Sequence, residues 1–185
     1  YITKTDALQG GAFTDVKAGD YYLSAVDWAL DKAVTSGTSN TTFSPNAACT
    51  RAQAVTFLWR AAGSPEPTAT TTAFTDVKEG SYYYKAVLWA VENSITSGAT
   101  ETTFAPDATC TRSQIVTFLY RMEKSHEETA ENPFTDVKAG AFYENAVLWA
   151  VKENITTGAT ATTFDPAGDC TRGQIVTFLY RCLNK

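Results

Sequence analysis

The sequence of 185 residues contains one histidine, His126, and four cysteines, which form no C-x-x-C pair. A hydrolase triad needs a histidine base, and a zinc site needs closely spaced cysteine or histidine ligands. His126 lies in a glutamate-rich stretch with the character of a linker, and no glycine-rich phosphate loop is found in the sequence. We therefore expect no catalytic residues, no metal site and no cofactor, and the chain is not expected to be an enzyme.

Basic residues are sparse, with 15 Lys and Arg against 20 Asp and Glu, for a formal net charge of −5. They are scattered singly, whereas nucleic-acid binding relies on a dense cationic surface. The longest apolar stretches, such as residues 86–91, fall far short of the ~20 residues that a transmembrane helix needs. Neither nucleic-acid binding nor a membrane span is therefore expected.

The pentapeptide Phe-Thr-Asp-Val-Lys begins at residues 13, 74 and 134, which gives periods of 61 residues (13 to 74) and 60 residues (74 to 134). A unit of this length buries too little apolar surface by itself, so neighbouring units are expected to share one core. Linkers rich in Pro, Thr, Ser and Glu separate the units and predict exposed connectors. The predicted organisation is an N-terminal extension (1–12), repeat 1 (13–62), a linker (63–73), repeat 2 (74–122), a linker (123–133) and repeat 3 (134–185).

The apolar periodicity predicts two helices in each repeat, and hence an all-α fold. In repeat 1 the first helix is predicted over about 21–33, with Leu30 on its buried face, and Gly37 is expected to stop it. The second helix is predicted over about 51–61. Phe43, in the loop between them, is expected to enter the core.

A Thr-Arg-x-Gln motif begins the second helix of each repeat, and its threonine and glutamine fit a capping box. Capping does not need the arginine, and a cation in the first turn opposes the helix dipole by roughly 0.3–1 kcal/mol. Two explanations stay open: the arginines pair with internal carboxylates, or they bind an anion together with the helix-end amides. The arginines are Arg51, Arg112 and Arg172, and the candidate carboxylates are Asp15, Asp76 and Asp136.

Three tryptophans, Trp28, Trp89 and Trp149, lie on the face of the first helix that points away from its own repeat. They either pack against the neighbouring repeat or form a platform for a sugar ring. The two interpretations are compatible if the site lies at the seam between repeats. Cysteines also recur before each second helix, where the favoured interpretation is a small buried apolar residue. These are Cys49, Cys110 and Cys170, while Cys182 has no equivalent.

Together, the F-T-D-V, T-T-F-x-P and T-R-x-Q motifs resemble the F-x-D-V, G-T-F-x-P and T-R-A-E pattern of S-layer homology domains. The resemblance covers all three repeats. It implies a pseudo-three-fold spindle, a monomeric pseudo-trimer in which three repeats share a central helical bundle and leave grooves between neighbours. It also implies an extracellular location at the bacterial cell wall or S-layer, with noncovalent anchoring to a pyruvylated secondary cell-wall polysaccharide.

By motif, the resemblance implies that the three arginines hold the ketal carboxylate, and that the three aspartates and three tryptophans line the groove around the sugar. Gln53, Gln114 and Gln174 stand where the family usually has glutamate. The alternative function is a protein–protein interaction scaffold on the cell surface, whose outer aromatic residues receive a partner chain.

Repeat 1 departs most from the other two. Ala54 stands where the other repeats have Ile115 and Ile175. A smaller residue weakens the apolar contact that fixes the start of the helix. We therefore expect a site that uses Arg51 to bind less tightly than the sites of the other two arginines.

Overall fold

The described residues form six helices, two in each repeat, as the sequence predicts. A computed structural model describes residues 12–125 and 130–185, and His126 lies outside the described residues. No strand forms across these two ranges, where only isolated β-bridges occur, so the all-α class is confirmed. The exact limits of repeats and linkers stay a prediction. The helices are α1 (Leu23–Asp31), α2 (Arg51–Ala61), α3 (Tyr84–Glu92), α4 (Arg112–Met122), α5 (Glu144–Lys152) and α6 (Arg172–Leu183).

Helix α1 is shorter than predicted, and Gly37 does not end it. The N–H of Val34 donates to the carbonyl of Ala29 at 2.7 Å, and Ala33 adopts the left-handed conformation with φ 56°. This pair is a Schellman ending built without glycine. Leu30 is exposed rather than buried. Gly37, with φ 90°, instead lies under Phe13, since a Cβ atom there would come within 2.5 Å of the Phe13 ring.

The second helix of repeat 1 spans Arg51–Ala61, in agreement with the prediction, and Phe43 is completely buried, as expected. The capping box is confirmed in all three repeats. In each, the threonine hydroxyl accepts from the N–H of the glutamine, and the glutamine oxygen accepts from the N–H of the threonine. The pairs are Thr50 with Gln53, Thr111 with Gln114, and Thr171 with Gln174.

Helices α2, α4 and α6 contact one another and form the central bundle. Each first helix packs on the second helix of the preceding repeat: α3 on α2, and α5 on α4. Helix α1 closes the arrangement by packing on α6. Every repeat therefore completes the apolar contacts of its neighbour.

At the centre of this arrangement, three cysteines hydrogen bond in a ring through their backbones. Cys49 N–H donates to Cys170 O, Cys110 N–H to Cys49 O, and Cys170 N–H to Cys110 O, over 2.8–3.0 Å. All three thiols are free and buried, and Cys182 in α6 is likewise free and buried. The interpretation of the repeated cysteines as buried apolar residues is confirmed.

Candidate functional site

A groove opens at each seam between repeats, and we name each groove after the T-R-x-Q arginine that lines it. The Arg51 groove has a cavity volume of about 420 Å³, the Arg172 groove about 330 Å³ and the Arg112 groove about 150 Å³. One wall of each groove is a second helix, and another is the Thr-x-Gly segment that follows the first helix of the same repeat. The arginine comes from the preceding repeat.

Each of these arginines is buried against the loop of the following repeat. The Nε of Arg51 donates to the carbonyl of Phe104 at 2.9 Å, and its guanidinium lies over the Phe104 ring, 4.8 Å from the centroid. Arg112 makes the same two contacts with Phe164, and Arg172 makes them with Phe43. The exposed fractions of the three arginines are only 4%, 8% and 4%. Cation–π contact and a charge-assisted hydrogen bond therefore hold each guanidinium in place.

The Nη2 atom of each arginine is buried and has no hydrogen-bond partner within the described chain. A buried donor without a partner costs about 1–3 kcal/mol, more for a charged group, and so calls for an explanation. Burial lowers the pKa of Arg51 and Arg172, yet an arginine remains protonated in a protein. Each groove therefore contains a fixed positive charge with one donor unused.

The carboxylates that the sequence offers as internal partners have other bonds. Asp15 accepts from the N–H groups of Phe43 and Ser44, at 2.9 and 2.7 Å. Asp76 and Asp136 bond the equivalent amides in their repeats. Although partial burial alone would raise it, these backbone donors lower the pKa of Asp136. The aspartates thus shape the loop whose phenylalanine carbonyl holds the arginine, and their own contact with a ligand stays a prediction.

A second arginine lines each groove, and the motifs described above do not include it. Arg121 lies in the last turn of α4 in the Arg51 groove, where its Nη1 donates to the carbonyl of Ile95 at 3.1 Å. Arg60 and Arg181 occupy the equivalent positions in the Arg172 and Arg112 grooves. The available signal was an arginine nine residues after each T-R-x-Q arginine. Two guanidinium groups from different repeats therefore share each groove.

In each groove, the repeat that supplies neither arginine contributes an exposed aromatic ring. Tyr82 lines the Arg172 groove, Phe142 the Arg51 groove and Tyr21 the Arg112 groove, with exposed fractions of 58%, 66% and 63%. Each ring packs edge-on against the tyrosine that follows it, at a centroid distance of 4.9–5.0 Å. These rings combine an exposed face with a fixed orientation, which suits stacking.

The tryptophans lie at the contacts between helices of neighbouring repeats. Trp149 packs edge-on against Tyr120 of α4 at 5.7 Å, and Trp28 packs against Tyr180 of α6 at 5.9 Å. Trp89 and Trp149 are buried, with exposed fractions of 7% and 4%, and Trp28 is half-buried. The first of the two interpretations, packing against the neighbouring repeat, describes this placement. Ligand contact by the tryptophans stays a prediction, and the cavities described above are lined by other rings.

The arrangement suits an anion attached to an apolar ring face. Two guanidinium groups match a carboxylate, because the planar fork can donate two parallel hydrogen bonds. Within the part of the chain that the structure describes, no group of three or more His, Cys, Asp or Glu side chains is placed to hold a metal. The same described segments include no helix with the length and apolar character for crossing a membrane.

The fold and these clefts define a closed three-repeat protein with arginine pairs at its seams. The family profile of the S-layer homology domain matches residues 12–55, 73–116 and 133–176. The chain therefore belongs to the S-layer homology domain family.

Curated relatives agree with this assignment. An endoglucanase of Bacillus sp. (strain KSM-635) is 31% identical over 168 residues, which cover 88% of this chain and 18% of the endoglucanase. A cell surface protein of Thermoanaerobacter kivui is 32% identical over 62% of this chain and 16% of its own length. The surface-layer 125 kDa protein of Lysinibacillus sphaericus is 28% identical over 90% of this chain and 14% of its own length. The chain thus spans less than a fifth of each of these relatives.

The family sets the general role of the chain. S-layer homology domains are non-catalytic anchoring modules that bind cell-wall polysaccharide. The chain is accordingly a cell-surface anchoring module, with an extracellular location at the cell wall or S-layer.

Proposed function

We propose that the chain anchors its parent protein noncovalently by binding an anionic, pyruvylated secondary cell-wall polysaccharide in the grooves between repeats. The observation that carries this proposal is the buried, unpartnered Nη2 of the T-R-x-Q arginine, which shares a groove with a second arginine. A carboxylate of a pyruvate ketal supplies the acceptor that this donor lacks. The arginine itself is already held in place by the next repeat.

The replacement of glutamate by glutamine in the T-R-x-Q motif favours an anionic ligand. Gln114 lines the Arg51 groove, and its Oε1 accepts from the N–H of Thr111 at 3.1 Å. Its other amide atom is an NH2 donor, whereas a glutamate would place a second carboxylate oxygen beside the ligand. The groove therefore retains its full positive charge for the ketal.

The exposed ring of Phe142, Tyr82 or Tyr21 supports the sugar that carries the ketal. A pyranose presents an apolar face of C–H groups, and an aromatic ring with a fixed orientation receives that face without losing conformational freedom. In each groove the ring and the two arginines come from three different repeats. Binding thus depends on the assembled spindle.

A pull-down with purified bacterial cell wall, before and after acid removal of pyruvate, tests the proposal with two matched variants. Arg121→Gln removes one positive charge from the Arg51 groove, whereas Lys138→Gln removes one from an exposed position outside the grooves. We expect weaker wall binding for Arg121→Gln and unchanged binding for Lys138→Gln. Much less of the unaltered protein is expected to bind to depyruvylated wall than to untreated wall.

Undiminished binding to depyruvylated wall would contradict the ketal as the determinant. The alternative, an interaction scaffold that uses Tyr21, Tyr82 and Phe142 to hold a partner chain, draws on the exposure of these rings. It predicts that binding survives glycosidase treatment of the wall and is lost after protease treatment. The anchoring proposal predicts the opposite pair of results.

A further inference from the structure

A second cavity shares one lining residue, Tyr82, with the Arg172 groove. We call it the linker pocket, because residues of the 63–73 linker form one wall and the end of α2 and the start of α3 form the others. Its volume is about 490 Å³, within the range of about 300–1,000 Å³ that is usual for ligand sites. Tyr82 lines both the linker pocket and the Arg172 groove, so one exposed ring borders both cavities.

The linker wall is held in place by hydrogen bonds, in contrast to the free connector that composition alone suggests. Nε1 of Trp59 donates to the carbonyl of Pro65 at 2.8 Å, and the hydroxyl of Tyr84 donates to the carbonyl of Thr70 at 2.9 Å. The carboxylate of Glu92 accepts from the N–H groups at positions 68 and 69. The pocket is therefore formed before any ligand arrives.

The lining combines aromatic rings with charged groups at the rim. Trp59, Tyr82 and Tyr84 supply three rings. Glu66 is paired with Lys85 at 2.7 Å, whereas Glu79 has no partner within the described residues. Ring faces beside hydrogen-bonding side chains match a pyranose, which has an apolar face and a hydroxyl edge. The unpaired carboxylate of Glu79 disfavours a second anionic group and accepts hydrogen bonds from sugar hydroxyls.

This combination of residues occurs at one seam only among the three repeats. The equivalents of Trp59 are Tyr120 and Tyr180, those of Glu79 are Ala18 and Ala139, and those of Lys85 are Ser24 and Asn145. The three seams are therefore unequal in chemistry as well as in cavity volume.

We propose that the linker pocket is a subsite for a neutral sugar residue that adjoins the anionic residue held in the Arg172 groove. This inference rests on the proposed function, because it extends the same ligand across Tyr82. In this proposal, the sugar that carries the carboxylate lies beside the two arginines of the Arg172 groove. The uncharged sugar lies in the linker pocket beside the unpaired carboxylate of Glu79.

Calorimetry with two defined probes tests the subsite. The short probe is the methyl glycoside of a pyruvate-ketal hexopyranose, and the long probe adds one neutral pyranose at its reducing end. The variants Glu79→Ala and Trp59→Tyr install residues that the other seams carry, and Glu101→Ala is the control at an exposed position outside the pocket. Glu79 is exposed and unpaired, so Glu79→Ala is expected to fold normally even if Trp59→Tyr loosens the linker.

We expect the unaltered protein and Glu101→Ala to bind the long probe about threefold to tenfold more tightly than the short one. Both pocket variants should lose this gain and still bind the short probe normally. If the long probe has no advantage, or Glu79→Ala keeps it, the subsite is wrong while the groove proposal stands. If the unaltered protein binds neither probe, the groove proposal fails and the subsite fails with it.

Discussion

Arg51 and Asp76 hold the same peptide unit from opposite sides. The Nε of Arg51 donates to the carbonyl of Phe104 at 2.9 Å, and the N–H of Ala105, in the same peptide unit, donates to Oδ2 of Asp76 at 2.8 Å. The two residues belong to different repeats, and they are linked through a backbone group instead of an ion pair. The position of the arginine in its groove therefore depends on an aspartate that lies behind the loop.

Asp76→Asn is expected to lower both stability and binding. The carboxylate accepts two backbone N–H groups, and hydrogen bonds to a charged acceptor contribute about 1.5–3 kcal/mol each. We expect a loss of about 2 kcal/mol in the free energy of unfolding, measured by urea denaturation, together with weaker wall binding. Glu101→Gln, which makes the same charge change at an exposed loop position, should leave both unchanged. Equal behaviour of the two variants would contradict a positioning role for Asp76.

Gly37→Ala should destabilise the protein far more than Gly80→Ala. Both glycines have positive φ, at 90° and 84°, so both substitutions carry the conformational cost of about 1–2 kcal/mol. Only at Gly37 does a Cβ also meet neighbouring atoms, 2.5 Å from the Phe13 ring and 2.6 Å from the carbonyl of Ser39. Overpacking of this kind adds about 1–3 kcal/mol. Thermal melting of the two variants measures the difference, and similar melting temperatures would show that the Phe13 contact relaxes freely.

Cys182→Ala should reduce the sensitivity of stability to alkaline pH. Burial raises the pKa of the Cys182 thiol to about 12 from an ordinary value of 9.0. The unfolded chain therefore releases this proton first, and the stabilisation present below pH 9 is lost as pH rises towards 12. The stability gap between the unaltered protein and Cys182→Ala should shrink between pH 8 and about pH 11 in urea denaturation series. A constant gap across that range would mean that the thiol titrates normally.

The three grooves are expected to bind with different strengths. The cavity volumes favour the Arg51 groove, at about 420 Å³, over the Arg112 groove, at about 150 Å³. Ala54, in contrast, predicts that the Arg51 groove binds less tightly than the other two grooves. Calorimetry with the short ketal probe on Arg121→Gln and Arg181→Gln decides between them. We expect the larger loss from Arg121→Gln; a larger loss from Arg181→Gln would favour the sequence argument, and equal losses would contradict both.

Local sequence patterns were enough to predict α2 because its start is specified locally. Thr50 and Gln53 form the capping box within one turn, and the apolar spacing that follows continues to the observed end of the helix. The end of α1 was mispredicted because the left-handed residue there is Ala33, which has no local preference for that conformation. The burial of Val34 and its hydrogen bond to Ala29 in the preceding turn impose this left-handed conformation.

The grooves could be predicted only in part, because each combines residues from three repeats. Repetition singled out Arg51 as an anomaly, but its partner is a backbone carbonyl 53 positions away, and such a contact leaves no sequence pattern. Tyr82 precedes Trp89 by seven residues, a spacing that would place both on the same face of a helix. The structure leaves Tyr82 exposed in a groove and buries Trp89. Burial by a neighbouring repeat is a nonlocal effect that helical periodicity does not encode.

Because α1 packs on α6, each of the three repeats has a neighbour on both sides. An open solenoid has free ends, so it can fray from them and tolerates the loss of an outer unit. Here each unit is internal, and the contact between the first and last helices links segments more than 100 positions apart. Removing any repeat would expose one apolar face on each of the two that remain. The three repeats should therefore unfold in one cooperative transition. Under mechanical load, the anchor should unfold as a whole, without a partly folded form that still has one or two intact repeats.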